Sequence, residues 1–261
     1  MGTVYEAHSE SLDRRVALKV VRGSLSDSPE ALRRFQLEAR AAARLQHPNA
    51  VSVYEVGEHR GQPYLAMEFV AGRSLRDRLD AQRDGSEPLS PRDAAEILEP
   101  IARALYAAHT QGILHRDVKP GNVLFDDDWQ ALLCDFGLVR FVGIGGGSGL
   151  TAPGSGVGSL AYMPPEQIED AMHADAKSDV WALGVTFYEA VTSRLPFPGK
   201  TPLQLIKRIR EGQFRRPSSL AFGVSNAVDV LVEHMLQPDL ERRPTTAKAT
   251  RALERLATGD V

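Results

Sequence analysis

The first third of the chain contains short apolar runs that predict β-strands. TVYEA and VALKVV are separated by the polar segment HSESLDRR, which predicts a hairpin, and strand-like runs follow in PNAVSVYEVG and PYLAMEFV. Between the two pairs, apolar positions recur at helical spacing, with Ser28 as a candidate cap and Pro29 as a candidate first residue. Phe35 and Glu38 fall on the same face of that helix. A small sheet with one helix is therefore predicted for residues 1–70.

Beyond residue 70 the hydrophobic pattern becomes mainly helical. SPRDAAEILEPIARALYAAHTQG has helix-start residues at Ser90 and Pro91 and a helix-end residue at Gly112. VWALGVTFYEAVTS is apolar on almost every face, which predicts a helix buried at the centre of this second part. The low-complexity stretch GIGGGSGLTAPGSGVGS predicts a mobile loop. The whole pattern predicts an α+β chain whose larger, mainly helical part covers 71–261.

Composition narrows the class of protein. A length of 261 residues, with 43% hydrophobic and 25% charged residues, fits one large globular domain or two modest ones. The net charge of −3 gives no general attraction to nucleic acid or anionic lipid, so neither partner is expected. The apolar runs are far shorter than the roughly 18 residues of a membrane span, and no signal-peptide pattern opens the chain. Cys134 is the only cysteine, which excludes an internal disulfide and fits a reducing cytoplasm.

The segment HRDVKPGNVLFDDDWQALLCDFG combines charged residues with apolar runs. Asp117 and Asp135 are 18 residues apart, and each lies beside a strand-like run that can form a hairpin joining them. Their carboxylates and the amide of Asn122 are the hard oxygen ligands that Mg²⁺ prefers when phosphate completes its shell. Lys119 adds a positive charge suited to a phosphoryl group. The alternative is an acidic surface hairpin whose polar residues are simply exposed.

The order of these residues along the chain resembles the sequence motifs of one protein family. HRD-x-K-x-x-N followed by DFG is similar to the catalytic and metal-binding loops of eukaryotic-like (Hanks-type) protein kinases. VALK resembles the strand with the phosphate-contacting lysine, and MEFVAG resembles the hinge where adenine binds. GSLAYMPPE resembles the end of the activation loop, SDVWALG the central buried helix, and Arg243 in ERRPT the arginine that pairs with Glu166. Lys119 and the HRDVKPGN form resemble serine/threonine rather than tyrosine kinases, and Gly121 resembles the bacterial branch.

The resemblance implies a fold and an activity. The fold is a bilobal α+β protein kinase domain over 1–261, with a small antiparallel sheet lobe at 1–70 that lacks its first strand. The helical lobe covers 71–261. The implied reaction is transfer of the γ-phosphoryl group of ATP, with Mg²⁺ or Mn²⁺, to serine and threonine hydroxyls of protein substrates.

The resemblance also implies roles for single residues. Asp117 would accept the proton of the attacking hydroxyl, and Lys119 would steady the transferring phosphoryl group. Asn122 and Asp135 would hold the metal. The implied nucleotide-contacting residues are Gly2, Val4, Ala17, Lys19, Glu38, Glu68, Val70 and Leu124.

A pair between Lys19 and Glu38 is predicted on physical grounds as well. Glu38 lies on the apolar face of its helix and Lys19 lies inside an apolar strand, so each would be costly to bury without an opposite charge. The alternative is that both side chains lie at the rim and reach water through their flexible stems.

Arg116 and the glycine-rich segment suggest regulation. In kinases of this pattern the arginine belongs to a basic pocket that a phosphorylated activation loop neutralises. Thr151 holds the place of the modified threonine and is the leading candidate for self-phosphorylation, with Ser148, Ser155 and Ser159 as alternatives. The alternative interpretation is that the segment is a flexible linker whose hydroxyl groups are incidental.

The N-terminus departs from the family pattern. Kinases have G-x-G-x-x-G-x-V where this chain begins MGTVYEA, and Gly2 and Val4 match only the last glycine and the valine. Met1 is interpreted as an internal residue misread as a start, or as the cut edge of a fragment. A pseudokinase that binds partners without catalysis is the alternative function, which the incomplete loop favours weakly and the set of charged residues opposes. Small-molecule phosphotransferases share the architecture, but SDVWALG and the PPE segment favour a protein kinase.

Overall fold

The first part of the chain forms a four-stranded antiparallel sheet. The computed structural model describes residues 2–21, 29–83, 87–136, 157–170 and 173–260. The strands of the sheet are β1 (Thr3–Ser9), β2 (Arg14–Val20), β3 (Val53–His59) and β4 (Gln62–Glu68), in the order β1-β2-β4-β3. β1 and β2 pair with Val4 opposite Lys19, which confirms the predicted hairpin.

One helix covers this sheet. α1 is described over Pro29–Ala42, and its predicted cap, Ser28, lies outside the described residues. Phe35 is 1% exposed and packs in a small apolar core with residues of β4 such as Leu65. The predicted inner face of α1 is therefore confirmed, and burial of apolar surface holds the helix on the sheet.

The second part is mainly helical. Its helices are α2 (Leu75–Arg83), α3 (Pro91–Thr110), α4 (Val157–Leu160), α5 (Pro165–Glu169), α6 (Ala176–Thr192), α7 (Pro202–Glu211), α8 (Asn226–Met235) and α9 (Thr246–Thr258). Two short strands, β5 (Val123–Phe125) and β6 (Ala131–Leu133), form an antiparallel hairpin that follows a 3₁₀ turn at Pro120–Asn122. Within the described ranges no helix is long and apolar enough to cross a bilayer.

α6 is the central helix of this part, as its apolar sequence predicts. Every residue from Ser178 to Thr192 is buried. Asp175 caps the helix by accepting hydrogen bonds from the main-chain N–H groups of Lys177 and Ser178, and the Ser178 hydroxyl accepts one from the Asp175 N–H, which completes a capping box. Gly184 allows close approach of α8, because a Cβ there would lie 2.7 Å from the Met235 Cβ.

α3 also begins and ends as predicted. The Ser90 hydroxyl accepts a hydrogen bond from the main-chain N–H of Asp93, and Pro91 occupies the first turn. The helix ends at Thr110, and Gly112 follows with a φ of 73°, in the left-handed region that glycine adopts without strain. α3 then leads directly into the HRD segment.

The β5–β6 hairpin lies between two apolar cores. Val123, Phe125 and Leu133 belong to the large core of the helical part. Leu124 and Leu132 point the other way and pack with the small core of the sheet and α1. This alternation is the two-residue period of a strand that is buried on both faces. Residues at the ends of the hairpin are therefore placed where the two parts of the chain meet.

The segment after β4 passes close to the same hairpin. A Cβ at Gly72 would lie 1.9 Å from the Phe125 carbonyl oxygen, so only glycine fits this approach. The sheet ends at Glu68 and α2 begins at Leu75, so the boundary placed at residue 70 lies in the connection and stays a prediction.

Candidate active site

The HRD segment is held in place by hydrogen bonds to a residue of α6. The Asp179 carboxylate accepts main-chain hydrogen bonds from His115 at 2.8 Å and Arg116 at 2.7 Å. His109 of α3 places its Nε2 2.7 Å from the same carboxylate. Burial of Asp179 opposes its ionisation, but the hydrogen bonds and charges of His109 and His115 together outweigh burial and hold the pKa of Asp179 below its ordinary value. An ionised carboxylate in the core thus fixes the backbone of the loop.

Three predicted site residues lie together on this loop. Lys119 Nζ donates to Asp117 Oδ2 at 2.6 Å, and Asn122 Nδ2 donates to the same oxygen at 3.0 Å. Asn122 Nδ2 also donates to the Asp117 carbonyl oxygen at 2.7 Å, which ties the start of the loop to its end. The Asp117 side chain is 14% exposed, so its carboxylate is oriented by these donors more than by water.

Asp135 joins this group through the hairpin. It follows β6 with a φ of 68°, and the preceding residue, Cys134, donates its N–H to the Asn122 carbonyl oxygen at 2.9 Å. The predicted hairpin that joins Asp117 and Asp135 is therefore confirmed, and the reading of this segment as an exposed acidic hairpin is wrong. His115 supports the turn by contacting the Cys134 carbonyl oxygen through Nε2 at 2.8 Å.

The predicted pair between Lys19 and Glu38 is wrong in this structure. Lys19 Nζ contacts Asp135 Oδ2 at 2.7 Å, and Glu38 Oε2 lies 3.5 Å from Arg116 Nη1. Each charge has an opposite charge, as burial requires, but the partners are exchanged. The ammonium takes the carboxylate that the hairpin brings beside β2, and the inner face of α1 holds Glu38 against the HRD arginine instead.

The residues expected around adenine occupy three different elements. Ala17 of β2, Val70 after β4 and Leu124 of β5 all pack against the small apolar core, so the structure brings these three together. Glu68, the last residue of β4, accepts a hydrogen bond from the Ser52 N–H through its carboxylate at 3.1 Å.

Gly2 and Val4 lie at the outer end of the sheet. A Cβ at Gly2 would lie 2.4 Å from the Val20 carbonyl oxygen, so close packing requires glycine there. Val4 is 55% exposed and is paired with Lys19 across the strands.

A second ion pair, between Glu166 and Arg243, is confirmed. Arg243 Nη1 and Nη2 donate to the two Glu166 carboxylate oxygens at 2.7 and 3.1 Å. The guanidinium also lies 5.0 Å from the ring centroid of Trp181. Burial opposes ionisation of Glu166, but the hydrogen bonds and charge of Arg243 outweigh it and lower the pKa of Glu166.

Several site residues were missed in the sequence. Asp179 and Glu189 lie on α6, and a carboxylate within an otherwise apolar helix was the signal that could have identified both. Glu189 accepts hydrogen bonds from Arg76 at 3.0 and 2.9 Å, which links α6 to α2. Ser159 was predicted only as an alternative phosphorylation site, but it accepts a hydrogen bond from Lys119 Nζ at 3.2 Å, which places its hydroxyl beside Asp117. Thr151 and most of the glycine-rich loop lie outside the described residues.

Comparison with known proteins agrees with this geometry. The protein kinase domain family matches residues 1–254. Serine/threonine-protein kinase PknL of Mycobacterium tuberculosis is 40% identical over 231 residues, which cover 88% of this chain and 56% of that protein. Serine/threonine-protein kinase PrkC of Bacillus subtilis is 38% identical over 205 residues, 78% of this chain and 30% of that protein. Serine/threonine-protein kinase PknB of M. tuberculosis is 36% identical over 257 residues, 97% of this chain and 40% of that protein.

The chain thus spans from about a third to just over half of the length of these relatives. Proteins of this family generally use ATP and a divalent metal ion. The small antiparallel sheet with one helix, joined to a larger helical part, confirms the predicted bilobal α+β class. The chain therefore belongs to the protein kinase domain family, in its bacterial serine/threonine branch.

Proposed function

We propose that this chain transfers the γ-phosphoryl group of ATP to serine and threonine hydroxyl groups of protein substrates. The observation that carries the proposal is the Asp117 carboxylate, fixed by Lys119 and Asn122 at the junction where Lys19 and Asp135 also meet. Phosphoryl transfer needs positioning and charge neutralisation more than covalent help, and these residues supply both.

Asp117 is the proposed proton acceptor. Its Oδ2 already accepts two hydrogen bonds, so the carboxylate keeps one orientation towards an incoming hydroxyl group. Lys119 lies 2.6 Å from that oxygen and would balance negative charge on the transferring group. Lys19 is the proposed ligand of the inner phosphates, and Ala17, Val70 and Leu124 form the proposed apolar floor for adenine.

Asn122 and Asp135 are the proposed ligands of a magnesium ion. Asn122 uses its amide nitrogen on Asp117, which leaves its amide oxygen for a metal, and Asp135 offers a carboxylate. Among the described residues no group of three or more His, Cys, Asp or Glu side chains is arranged to hold a metal ion. Two donors from Asn122 and Asp135 fit an ion whose shell is completed by phosphate and water. Magnesium would supply positive charge to the phosphate oxygens, and manganese satisfies the same donors.

Phosphate transfer to a generic protein substrate tests the proposal. Labelled ATP should transfer its γ-phosphoryl group to the substrate or to the chain itself, and Asp117→Asn should reduce the rate by about 10²–10⁴-fold, the range typical of general acid–base catalysis. Asp13→Asn, in the exposed β1–β2 turn, is the matched control and should leave the rate unchanged. Equal rates in both variants, or no transfer by the unaltered chain, would leave the binding-module alternative.

Regulation by phosphorylation of the glycine-rich loop is a further part of the proposal. Arg116 has one guanidinium nitrogen 3.5 Å from Glu38, and its Nε is buried without a hydrogen-bond partner in the described chain. A phosphate on Thr151 carries more charge than Glu38 and would compete with it for Arg116. Thr151→Ala should then lower the activity of protein that has modified itself, and peptide mass spectrometry should find phosphate on Thr151 in the active form. Full activity without modification would remove the regulatory claim.

The proposal also covers the protein substrates of the chain and its location in the cell. The names of the relatives, serine/threonine-protein kinases, support protein substrates with serine and threonine acceptors, and self-phosphorylation is part of the proposal. A reducing compartment that supplies ATP, the cytoplasm, is the proposed location of the domain, and the single cysteine is consistent with it.

A further inference from the structure

A cavity of about 350 Å³ lies away from the candidate active site. Its walls come from α2, α3 and the turn between β5 and β6, and they include Arg78, Glu96, Pro100, Phe125 and Trp129. The cavity shares none of the residues assigned above to nucleotide, metal or proton transfer. A volume of this size holds a few side chains of a peptide.

Trp129 is the feature of this cavity that the fold does not explain. Its side chain is 73% exposed, and its φ of 60° is in the left-handed region that bulky residues rarely adopt. Its ring centroid lies 5.9 Å from that of Phe125, so the two rings form one apolar wall. An exposed tryptophan beside a cavity contributes little to the core, and tryptophan is enriched among residues that anchor binding partners.

The charge around the cavity is mainly negative. Asp93 and Glu96 of α3 line it, and the turn that carries Trp129 adds Asp126, Asp127 and Asp128. Arg78 also lines the cavity, and Arg92 of α3 is paired with Glu96 at 2.9 Å, so the carboxylates named here outnumber these two guanidinium groups. The net field attracts a basic partner.

The main chain of α3 adds an acceptor. Pro100 lies inside the helix and has no N–H, so the Glu96 carbonyl oxygen does not receive the hydrogen bond of a regular helix. Glu96 and Pro100 both line the cavity. This carbonyl group is a hydrogen-bond acceptor suited to an ammonium or guanidinium group. Arg78, which forms no ion pair with any residue that the structure describes, can donate to the main-chain carbonyl groups of an occupant.

We propose that this cavity docks a basic peptide segment of a protein substrate. One apolar side chain of the segment packs against Trp129 and Phe125, and its lysine or arginine side chains contact the acidic turn and Glu96. Because the cavity shares no lining residue with the candidate active site, docking there would raise the local concentration of a target hydroxyl without taking part in the transfer. The identity of the occupant as a substrate rests on the proposed kinase function, whereas binding of the peptide does not.

Peptide binding tests the cavity directly. The probe is a capped peptide of three lysines followed by two leucines, titrated by calorimetry and by tryptophan fluorescence. The chain has two tryptophans, and Trp181 is fully buried, so a fluorescence change reports on Trp129. Binding should saturate, weaken as salt is raised, and disappear when glutamates replace the lysines.

Variants separate docking from folding. Asparagine tolerates a left-handed φ, so Trp129→Asn should keep the melting temperature while weakening peptide binding about tenfold or more. Replacing both Asp127 and Asp128 by asparagine should weaken binding about three- to fivefold and reduce its salt dependence. Phe222→Ala, which removes an exposed aromatic side chain outside the cavity, is the matched control and should bind as the unaltered chain does.

Activity measurements separate this proposal from the kinase proposal. Trp129→Asn should raise the KM for a substrate that carries the basic segment and leave the KM for a short substrate without it unchanged. Binding that depends on Trp129 in a chain without transferase activity would uphold the cavity and overturn the kinase proposal. Equal peptide affinity in Trp129→Asn and the unaltered chain, or equal binding of the glutamate peptide, would overturn docking whatever the transferase activity.

Discussion

Lys19 has two carboxylates on neighbouring elements and forms an ion pair with one of them, Asp135. Its side chain is 16% exposed, so the ammonium needs an opposite charge nearby, and both Glu38 and Asp135 are carried by elements that border it. Asp135 follows a short hairpin with few degrees of freedom, whereas Glu38 depends on the position of a whole helix. The contact with Asp135 at 2.7 Å satisfies the lysine while Glu38 is satisfied by Arg116.

The pair between Glu166 and Arg243 gives a residue-scale prediction of stability. Arg243→Met keeps the apolar stem but leaves a buried carboxylate without its partner, so the free energy of unfolding should fall by about 3–5 kcal/mol. Arg216→Met breaks the exposed pair with Glu233 and should cost less than about 1 kcal/mol. Urea unfolding measures both. Adding Glu166→Gln to Arg243→Met should recover part of the loss, and no recovery would contradict the unpaired-charge explanation.

The same carboxylate predicts how stability depends on pH. The pKa of Glu166 in the folded chain lies below its ordinary value of 4.5, so the unfolded chain binds the proton more tightly. The stabilisation is fully present above pH 4.5 and is lost as pH falls through the folded pKa. Unfolding midpoints measured from neutral to acid pH should therefore decline once the pH is below 4.5. Glu166→Gln should show a shallower decline than the unaltered chain, and equal slopes would contradict the assignment.

At the scale of elements, the approach of α6 and α8 depends on one glycine. Gly184→Ala places a Cβ 2.7 Å from the Met235 Cβ, and neither helix can yield without disturbing a packed core. The substitution should lower the free energy of unfolding by about 1–3 kcal/mol. Gly158→Ala, in α4, meets no atom within 4 Å and is the matched control. It should be neutral or slightly stabilising, and equal losses in the two variants would contradict the packing argument.

The elements themselves were predictable because their signals are local. Ser90 and Gly112 mark α3 through capping and a left-handed φ, and the apolar run of α6 marks burial on every face. The hairpin that carries Asp135 was predictable from two apolar runs of strand length. The ion pair of Lys19 with Asp135 instead of Glu38 was not predictable. It depends on where α1 packs relative to the hairpin, and the hydrophobic pattern of the sequence does not give the distance between these two elements. The cavity beside Trp129 likewise depends on how α2, α3 and the turn between β5 and β6 pack against one another, which a local sequence pattern does not give.

At the scale of the whole molecule, the site lies where two cores share one hairpin. Leu124 and Leu132 pack with the sheet part, while Val123 and Leu133 pack with the helical part. Residues at the hairpin ends are thus positioned by both parts at once, so a change in either core should be felt at Asp135. This arrangement explains why so few polar residues suffice to build the site.

The burial of α6 from Ser178 to Thr192 has a consequence for hydrogen exchange. Its amide hydrogens reach solvent only when the packing around them opens as a unit, so their exchange with deuterium should report the free energy of that opening. β1 lies at one edge of the described sheet and is largely exposed, so its amides should exchange first. Exchange followed by mass spectrometry should rank β1 as fastest and α6 as slowest, and addition of urea should accelerate α6 in parallel with global unfolding. The central helix then serves as an internal gauge of the stability of the domain, independent of any ligand or activity.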